Sequence, residues 1–261
     1  MSNNIQENIQ ENIQENNSYC GFITIVGRPN VGKSTLMNHL IGQKVSITSR
    51  KPQTTQHIIH GINVLNNYQY IFVDTPGFQT KYINKLNKLL NESVINELKD
   101  IDVVLFVVEA GIFNLADEQV LNLLPKNKQL FLVINKIDKY KDKTLMSDFI
   151  HTITQKFKFN DIILLSAKQH YGIDEALEKI SKVLPEGPFL YLDDQITNRN
   201  SSFLTSEIIR EKLFRYLGQE LPYSTAVIID EFNDKEDVTK INGTILVDKQ
   251  NQKGIVIGKM E

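Results

Sequence analysis

The chain has 261 residues, 41% hydrophobic and 23% charged, the balance of a soluble globular protein of one or two domains. A net charge of −2 and a pI near 6.2 exclude a global electrostatic pull toward nucleic acid or anionic membrane, so any such surface must be local. A single cysteine, Cys20, excludes an intrachain disulfide, and no apolar run approaches the roughly 20 residues of a membrane span.

Residues 1–17 open on a repeat, Ile5-Gln6-Glu7-Asn8 returning at Ile9 and Ile13, and are expected to be a disordered low-complexity tail. So few apolar side chains cannot offset the ordering entropy of the segment. Apolar runs then recur at Gly21–Val26, Tyr70–Val73, Val103–Val108, Leu130–Ile134 and Ile162–Leu165. They are short, rich in β-branched residues and almost continuously apolar, which predicts strands buried on both faces of a mostly parallel sheet. Helices are predicted between them at Ser34–Leu40, Ile83–Leu98, Asp117–Leu123, Leu145–Lys156 and Ile173–Leu184. Strands alternating with helices give a doubly wound α/β domain over residues 18–187, with ligands expected at the carboxyl ends of the strands. Pro185-Glu186-Gly187-Pro188 reads as a break that loosens the chain. Beyond it, a smaller α+β unit over 188–261 starts with a helix, Ser206–Leu217, whose apolar side is Ile209, Leu213, Tyr216 and Leu217. Strands Val227–Phe232 and Gly243–Val247 follow.

The chemistry is written at the strand ends. Gly27-Arg28-Pro29-Asn30-Val31-Gly32-Lys33-Ser34-Thr35 fits G-x-x-x-x-G-K-[ST] between a strand and a helix. Glycines let backbone N–H groups wrap a triphosphate, and the following helix adds its positive end. Lys33 reaches the β/γ-phosphates, and Ser34 offers its hydroxyl to Mg²⁺. Asp74-Thr75-Pro76-Gly77 follows the next buried strand, with a carboxylate for the metal and a glycine N–H for the γ-phosphate. Asn135-Lys136-Ile137-Asp138 ends another strand. Its Asp138 carboxylate can accept two N–H bonds from the edge of guanine, a donor pair that adenine lacks. Ser166-Ala167-Lys168 follows the last strand and can meet the guanine carbonyl. Four elements in this order separate a GTPase from an ATPase.

The whole set resembles the Era family of ribosome-assembly GTPases, from about Ser18 to Gly258. The resemblance rests on Tyr19-Cys20-Gly21-Phe22, Gly27 to Thr35, Ile47-Thr48-Ser49-Arg50, Gln53-Thr54-Thr55, Asp74 to Gly77, and Ser206 to Lys212 with Leu221-Pro222-Tyr223. It implies GTP/GDP and Mg²⁺ as ligands and a switch in which Thr54 or Thr55 closes over the metal and γ-phosphate; sequence leaves open which of the two does so. It also implies a K⁺ ligand at Asn30, and catalysis centred on Lys33, Thr54, Thr55, Asp74 and Gly77. Gln56 and Ile58 make this switch less basic than in many members, and Phe78 replaces the water-orienting glutamine of Ras-like enzymes, so intrinsic hydrolysis is expected to be slow.

By the same resemblance the second unit is a KH domain, whose G-x-x-G loop grips single-stranded RNA. The partners implied are the small ribosomal subunit and its 16S rRNA, for a monomer in the cytoplasm with peripheral contact to the inner membrane. Here Gly258-Lys259-Met260-Glu261 puts glutamate at the second glycine position. Gly258 and Lys259 are the candidate RNA contacts, and a truncated KH domain with exposed apolar faces and weakened RNA affinity is expected. Two other functions compete: a nucleotide-gated binding module with little hydrolysis, and a remnant that binds GDP or GTP but not rRNA. His57 and His60 read as ordinary loop or strand histidines, Lys139, Lys141 and Lys143 as a solvated face, and Cys20 as a small apolar residue.

Overall fold

The computed structural model describes residues 17–48, 57–74, 99–140, 142–218, 221–235 and 237–258. The tail at 1–16, Gln53-Thr54-Thr55, Thr75-Pro76-Gly77-Phe78, the predicted helix at 83–98, Lys141 and Lys259 lie outside the described residues.

Six strands form the main sheet: β1 (Tyr19–Val26), β2 (Ile59–Leu65), β3 (Tyr68–Asp74), β4 (Val103–Glu109), β5 (Gln129–Asn135) and β6 (Asp161–Leu164). Their order is β2-β3-β1-β4-β5-β6. Every pairing is parallel except β2 with β3. The sheet is apolar on both faces because helices cover both. Helices α1 (Lys33–Ile41) and α4 (Ile173–Ser181) pack Leu36, Met37, Leu40, Leu177 and Ile180 onto one face. Helices α2 (Leu115–Leu123) and α3 (Lys143–Lys156) pack Val120, Leu121 and Ile153 onto the other. Phe72, Phe106 and Phe131 are sealed between the layers. Parallel strands joined by crossover helices put the described strand-to-helix loops at one edge.

The segment Pro185–Pro188, which reads from sequence as a break, is fastened to the sheet. Cys20 N–H donates to Pro185 O at 3.1 Å and Gly187 N–H to Ser18 O at 2.9 Å. The fully buried Gln69 then grips the chain beyond: its Oε1 accepts the N–H groups of Leu190 (2.8 Å) and Tyr191 (3.0 Å), and its Nε2 donates to Tyr191 O at 2.8 Å. His60 Nδ1 meets the Tyr191 hydroxyl at 2.8 Å, and Ile62 N–H donates to Ile196 O at 2.9 Å. Gln69→Leu leaves two N–H groups and a carbonyl without their partner, at a cost on the order of 3 kcal/mol. Urea unfolding is the measurement, and an unchanged midpoint would show that the clamp contributes nothing.

Helix α5 (Ser201–Tyr216) starts earlier than the sequence suggests, capped by Asn200 whose side chain accepts from Phe203 N–H. Its inward face also differs. Tyr216 is 79% exposed, whereas Glu207, Arg210, Glu211 and Phe214 are buried. Arg210 and Glu207 form a two-point ion pair at 2.8 and 2.7 Å, so this face closes by charge pairing as much as by apolar contact. Strands β7 (Thr225–Asp234) and β8 (Thr239–Val247) make an antiparallel pair beside it, followed by α6 (Gln250–Ile257). Phe214 and Tyr223 meet edge to face at 5.2 Å. Ile228, Ile241, Ile245 and Leu246 of the hairpin, and Ile255 and Ile257 of α6, are exposed.

Candidate nucleotide site

The phosphate loop is built around close backbone approach. Gly27 and Gly32 adopt φ of +150° and +103°, and a Cβ on either would lie 2.4 Å from Val107 O or 2.3 Å from Asn135 Nδ2. No other residue fits there. Helix α1 begins directly after Gly32, so its free N–H groups face the loop's interior. Lys33 Nζ donates to Gly27 O and Arg28 O, both at 2.9 Å, which draws the loop around the ammonium. Burial of that ammonium pushes its pKa from 10.5 to about 8, against a partial pull upward from Asp74 and with a push downward from Arg28. Ser34 and Thr35 occupy the first turn of α1, Val31 is fully buried, and Pro29 and Asn30 are exposed at the loop's tip.

Asp74 closes β3 and is 2% exposed; its Oδ2 accepts the Ser46 hydroxyl at 2.5 Å. The hydroxyl of Ser34 and the carboxylate of Asp74 are hard oxygen donors, a set that fits Mg²⁺ when phosphates complete its shell.

Asn135 joins the two halves of the site. Its Nδ2 donates to Val31 O at 2.8 Å, and its Oδ1 accepts from Lys136 N–H (2.7 Å) and Ala167 N–H (3.0 Å). One side chain therefore fixes the phosphate loop, its own loop and the segment after β6. Lys136 adopts φ of 65° and sends Nζ to Asn30 O at 2.7 Å and Glu109 Oε2 at 2.6 Å. Burial alone would raise the Glu109 carboxyl; the Lys136 hydrogen bond and charge, with Lys139 and Arg28, bring it below its ordinary value. Ile137 opens a short 3-10 turn, and Asp138 is held through Oδ1 by the Ser166 hydroxyl at 2.6 Å. Ala167 is buried, and Lys168 is exposed at the rim.

The structure thus brings Gly27 to Thr35, Asp74, Asn135 to Asp138 and Ser166 to Lys168 to one edge of the sheet. Gly258 ends α6 in the other unit. Sequence reasoning passed over Glu109, although its place at the carboxyl end of β4 was a usable signal. It also passed over Asp117, a fully buried carboxylate that completes the cap of α2 and lies 3.2 Å from Arg28 Nε. Burial raises the Asp117 pKa against the opposing Asn114 hydrogen bond and Arg28 charge. An acidic residue in a helix's first turn is common, so nothing local marks this one.

Comparison with known proteins places this geometry. A family model described as 50S ribosome-binding GTPase matches residues 22–136. GTPase Era of Nitrosomonas eutropha is 51% identical over 239 residues, which is 92% of this chain and 81% of that protein. GTPase Era of Chromobacterium violaceum is 51% identical over 241 residues, with the same shares. A crystal structure of Era in complex with MgGDPNP and nucleotides 1506–1542 of 16S ribosomal RNA aligns with a TM-score of 0.85 at 38% identity, covering 93% of this chain and 83% of that one. An Aquifex aeolicus Era variant bound to GDP and AlF4⁻ aligns with the same TM-score. With half of all aligned positions identical across nearly the full chain, the protein belongs to the Era family of GTPases.

Proposed function

We propose that this chain binds Mg²⁺ and GTP at the carboxyl edge of its main sheet, hydrolyses the nucleotide, and uses the cycle to assist small ribosomal subunit assembly through 16S rRNA. The observation that carries the reading is Asn135. It ties the phosphate loop at Val31 to the segment at Ala167, and this supports a reading in which the phosphate loop and Asp138 serve one ligand. A ligand must then present an anion at one end and a paired N–H edge at the other, as GTP does.

In this reading Lys33 balances the β/γ-phosphate charge, Ser34 and Asp74 hold the metal, and Asp138 selects guanine. The metal supplies charge neutralisation between the phosphates when bound. Thr54, Thr55, Gly77 and Phe78 complete the switch by resemblance, and Phe78 makes the unstimulated rate low. A K⁺ ligand at Asn30 rests on the same resemblance. The nucleotide-binding unit is taken as residues 18–187 and the RNA-binding unit as 188–261, with Gly258 and Lys259 as RNA contacts. A cytoplasmic location fits the single cysteine, which suits a reducing compartment, and peripheral contact of a monomer with the inner membrane completes the reading; among the described residues no helix is long and apolar enough to cross a membrane.

Phosphate release from GTP and from ATP, each with and without isolated small subunits, tests the proposal. Release from GTP alone, accelerated by the subunits, is the expected outcome. Equal release from both nucleotides would overturn the base assignment, and an unchanged GTP rate with subunits would remove the ribosomal one.

A further inference from the structure

We infer that Ser46 and Glu211 are positioning residues for the magnesium side of the site, joined by a strut, Lys44-Val45-Ser46, that links helix α5 to Asp74. The inference rests on the Mg²⁺ and GTP reading above.

The strut is held at three places. At one end the buried Ser46 hydroxyl donates to Asp74 Oδ2 at 2.5 Å. In the middle, Asn38 of α1 clamps the backbone: its Oδ1 accepts from Val45 N–H (2.9 Å) and Ser46 N–H (2.8 Å), and its Nδ2 donates to Ser46 O at 2.7 Å. The Val45 side chain is 3% exposed and belongs to the core. At the other end Lys44 Nζ lies 2.6 Å from Glu211 Oε2. Glu211 is fully buried and also pairs with Arg215, whose Nη2 donates to Thr48 Oγ1 at 3.4 Å.

A buried carboxylate is tolerated when cations fix it, and two do so here. The position of Lys44 is therefore tied to α5. Asn38 and the buried Val45 keep the strut from bending, so displacement of Lys44 is carried to Ser46. The Ser46 hydroxyl limits the rotation of the Asp74 carboxylate. A carboxylate that must meet a metal or its bound water works best when a second group holds it in place. Neither Ser46 nor Glu211 touches the phosphate loop or the base loop in any described contact. Their shared property is this path from the second unit to the metal side.

The test uses the full chain and a fluorescent GDP analogue whose release is followed in EDTA and at graded Mg²⁺. In the parent protein Mg²⁺ is expected to slow release. Ser46→Ala is expected to raise the Mg²⁺ concentration needed for half of that slowing by about tenfold, the scale of losing a group that orients a metal ligand. Release in EDTA stays as in the parent, because the phosphate and base contacts are intact. Ser46→Thr, which keeps the hydroxyl, restores the parent value, and Glu211→Gln shifts it in the same direction as Ser46→Ala. If Ser46→Ala fails to fold, Lys44→Gln at the exposed end of the strut carries the same comparison. An unchanged Mg²⁺ requirement in folded variants overturns the strut alone. Variants that speed release equally in EDTA and Mg²⁺ also overturn it, since a purely structural role would act on both. A parent protein whose GDP release ignores Mg²⁺ overturns the functional reading and the strut together.

Discussion

Asp138→Asn will lower GDP affinity on the order of 100-fold or more and transfer preference to the xanthine nucleotide. Breaking a hydrogen-bonded charge contact in a closed site costs about 2–5 kcal/mol, and each 1.4 kcal/mol is tenfold. The direction follows from Ser166. Its hydroxyl holds Asp138 Oδ1 at 2.6 Å and can hold an asparagine oxygen in the same place. The substituted amide nitrogen then stands where the second carboxylate oxygen was. It presents hydrogens to the N–H edge of guanine, a clash of donors, but it matches the carbonyl at C2 of xanthine. Binding of GDP and of xanthosine diphosphate by titration calorimetry, with thermal unfolding as the control for folding, measures both effects. A variant that still prefers GDP would remove Asp138 from the base site.

Lys33→Ala will separate nucleotide binding from fold stability. Loss of a charge-assisted contact worth about 1.5–3 kcal/mol lowers GDP and GTP affinity by tenfold to a hundredfold or so. Turnover falls further, on the order of 10²–10³, because charge on the transferring phosphoryl group is then uncompensated. In the nucleotide-free protein, loss of the Lys33 hydrogen bonds to Gly27 O and Arg28 O is offset by relief of the ammonium's burial. Burial holds the Lys33 pKa at about 8, below its ordinary 10.5, so the unfolded chain binds the proton more readily than the folded one between those values. Parental stability should therefore rise as pH increases from about 8 to 10.5, and this increment should be missing from Lys33→Ala. Calorimetric melting of both proteins across that window, without nucleotide, checks the sign. Identical pH profiles would show that the ammonium is not buried at a cost.

Much of the main sheet was legible because its inner strands are apolar on both faces, and a continuous run such as Val103–Val108 has few other readings. The ends were less clear. Tyr19, Tyr68 and Gln129 extend their strands by backbone pairing, which composition does not mark. Strand β2 was missed. Its Gly61 and Asn63 look like loop residues, and its pairing with β3 is antiparallel, so no crossover helix announces it. At Gly61 a Cβ would lie 2.0 Å from Ile41 Cδ1, so the glycine lets α1 pack close to β2, a fit visible only in three dimensions.

Helix α5 was found, but its buried face lies to one side of the one expected: Ile209, Leu213 and Leu217 are half-buried and Tyr216 is exposed. The apolar series Ile209, Leu213 and Tyr216 suggested the inner face, whereas the buried face carries Glu207, Arg210 and Glu211. Charges read as exposed unless their partners are known, and the Lys44 partner of Glu211 is far away in sequence. The loops at Gly27–Thr35, Asn135–Asp138 and Ser166–Lys168 could be picked out, and expected at one sheet edge, for the opposite reason. Each is a local run with fixed spacing, so its chemistry can be read without neighbours. Ser46 and Gln69 act on Asp74 and Tyr191 across the fold, and no local pattern points to either.

The fastening of residues 190–198 along β2 has a consequence for solubility. An outermost strand normally displays a row of unpaired backbone groups that can recruit a strand from another molecule. Here Ile196 and Asn198 occupy groups on Ile62 and His60, so on that side the sheet meets its own chain first. Peeling this cover away would expose a templating edge before the core opened, and self-association would then compete with refolding.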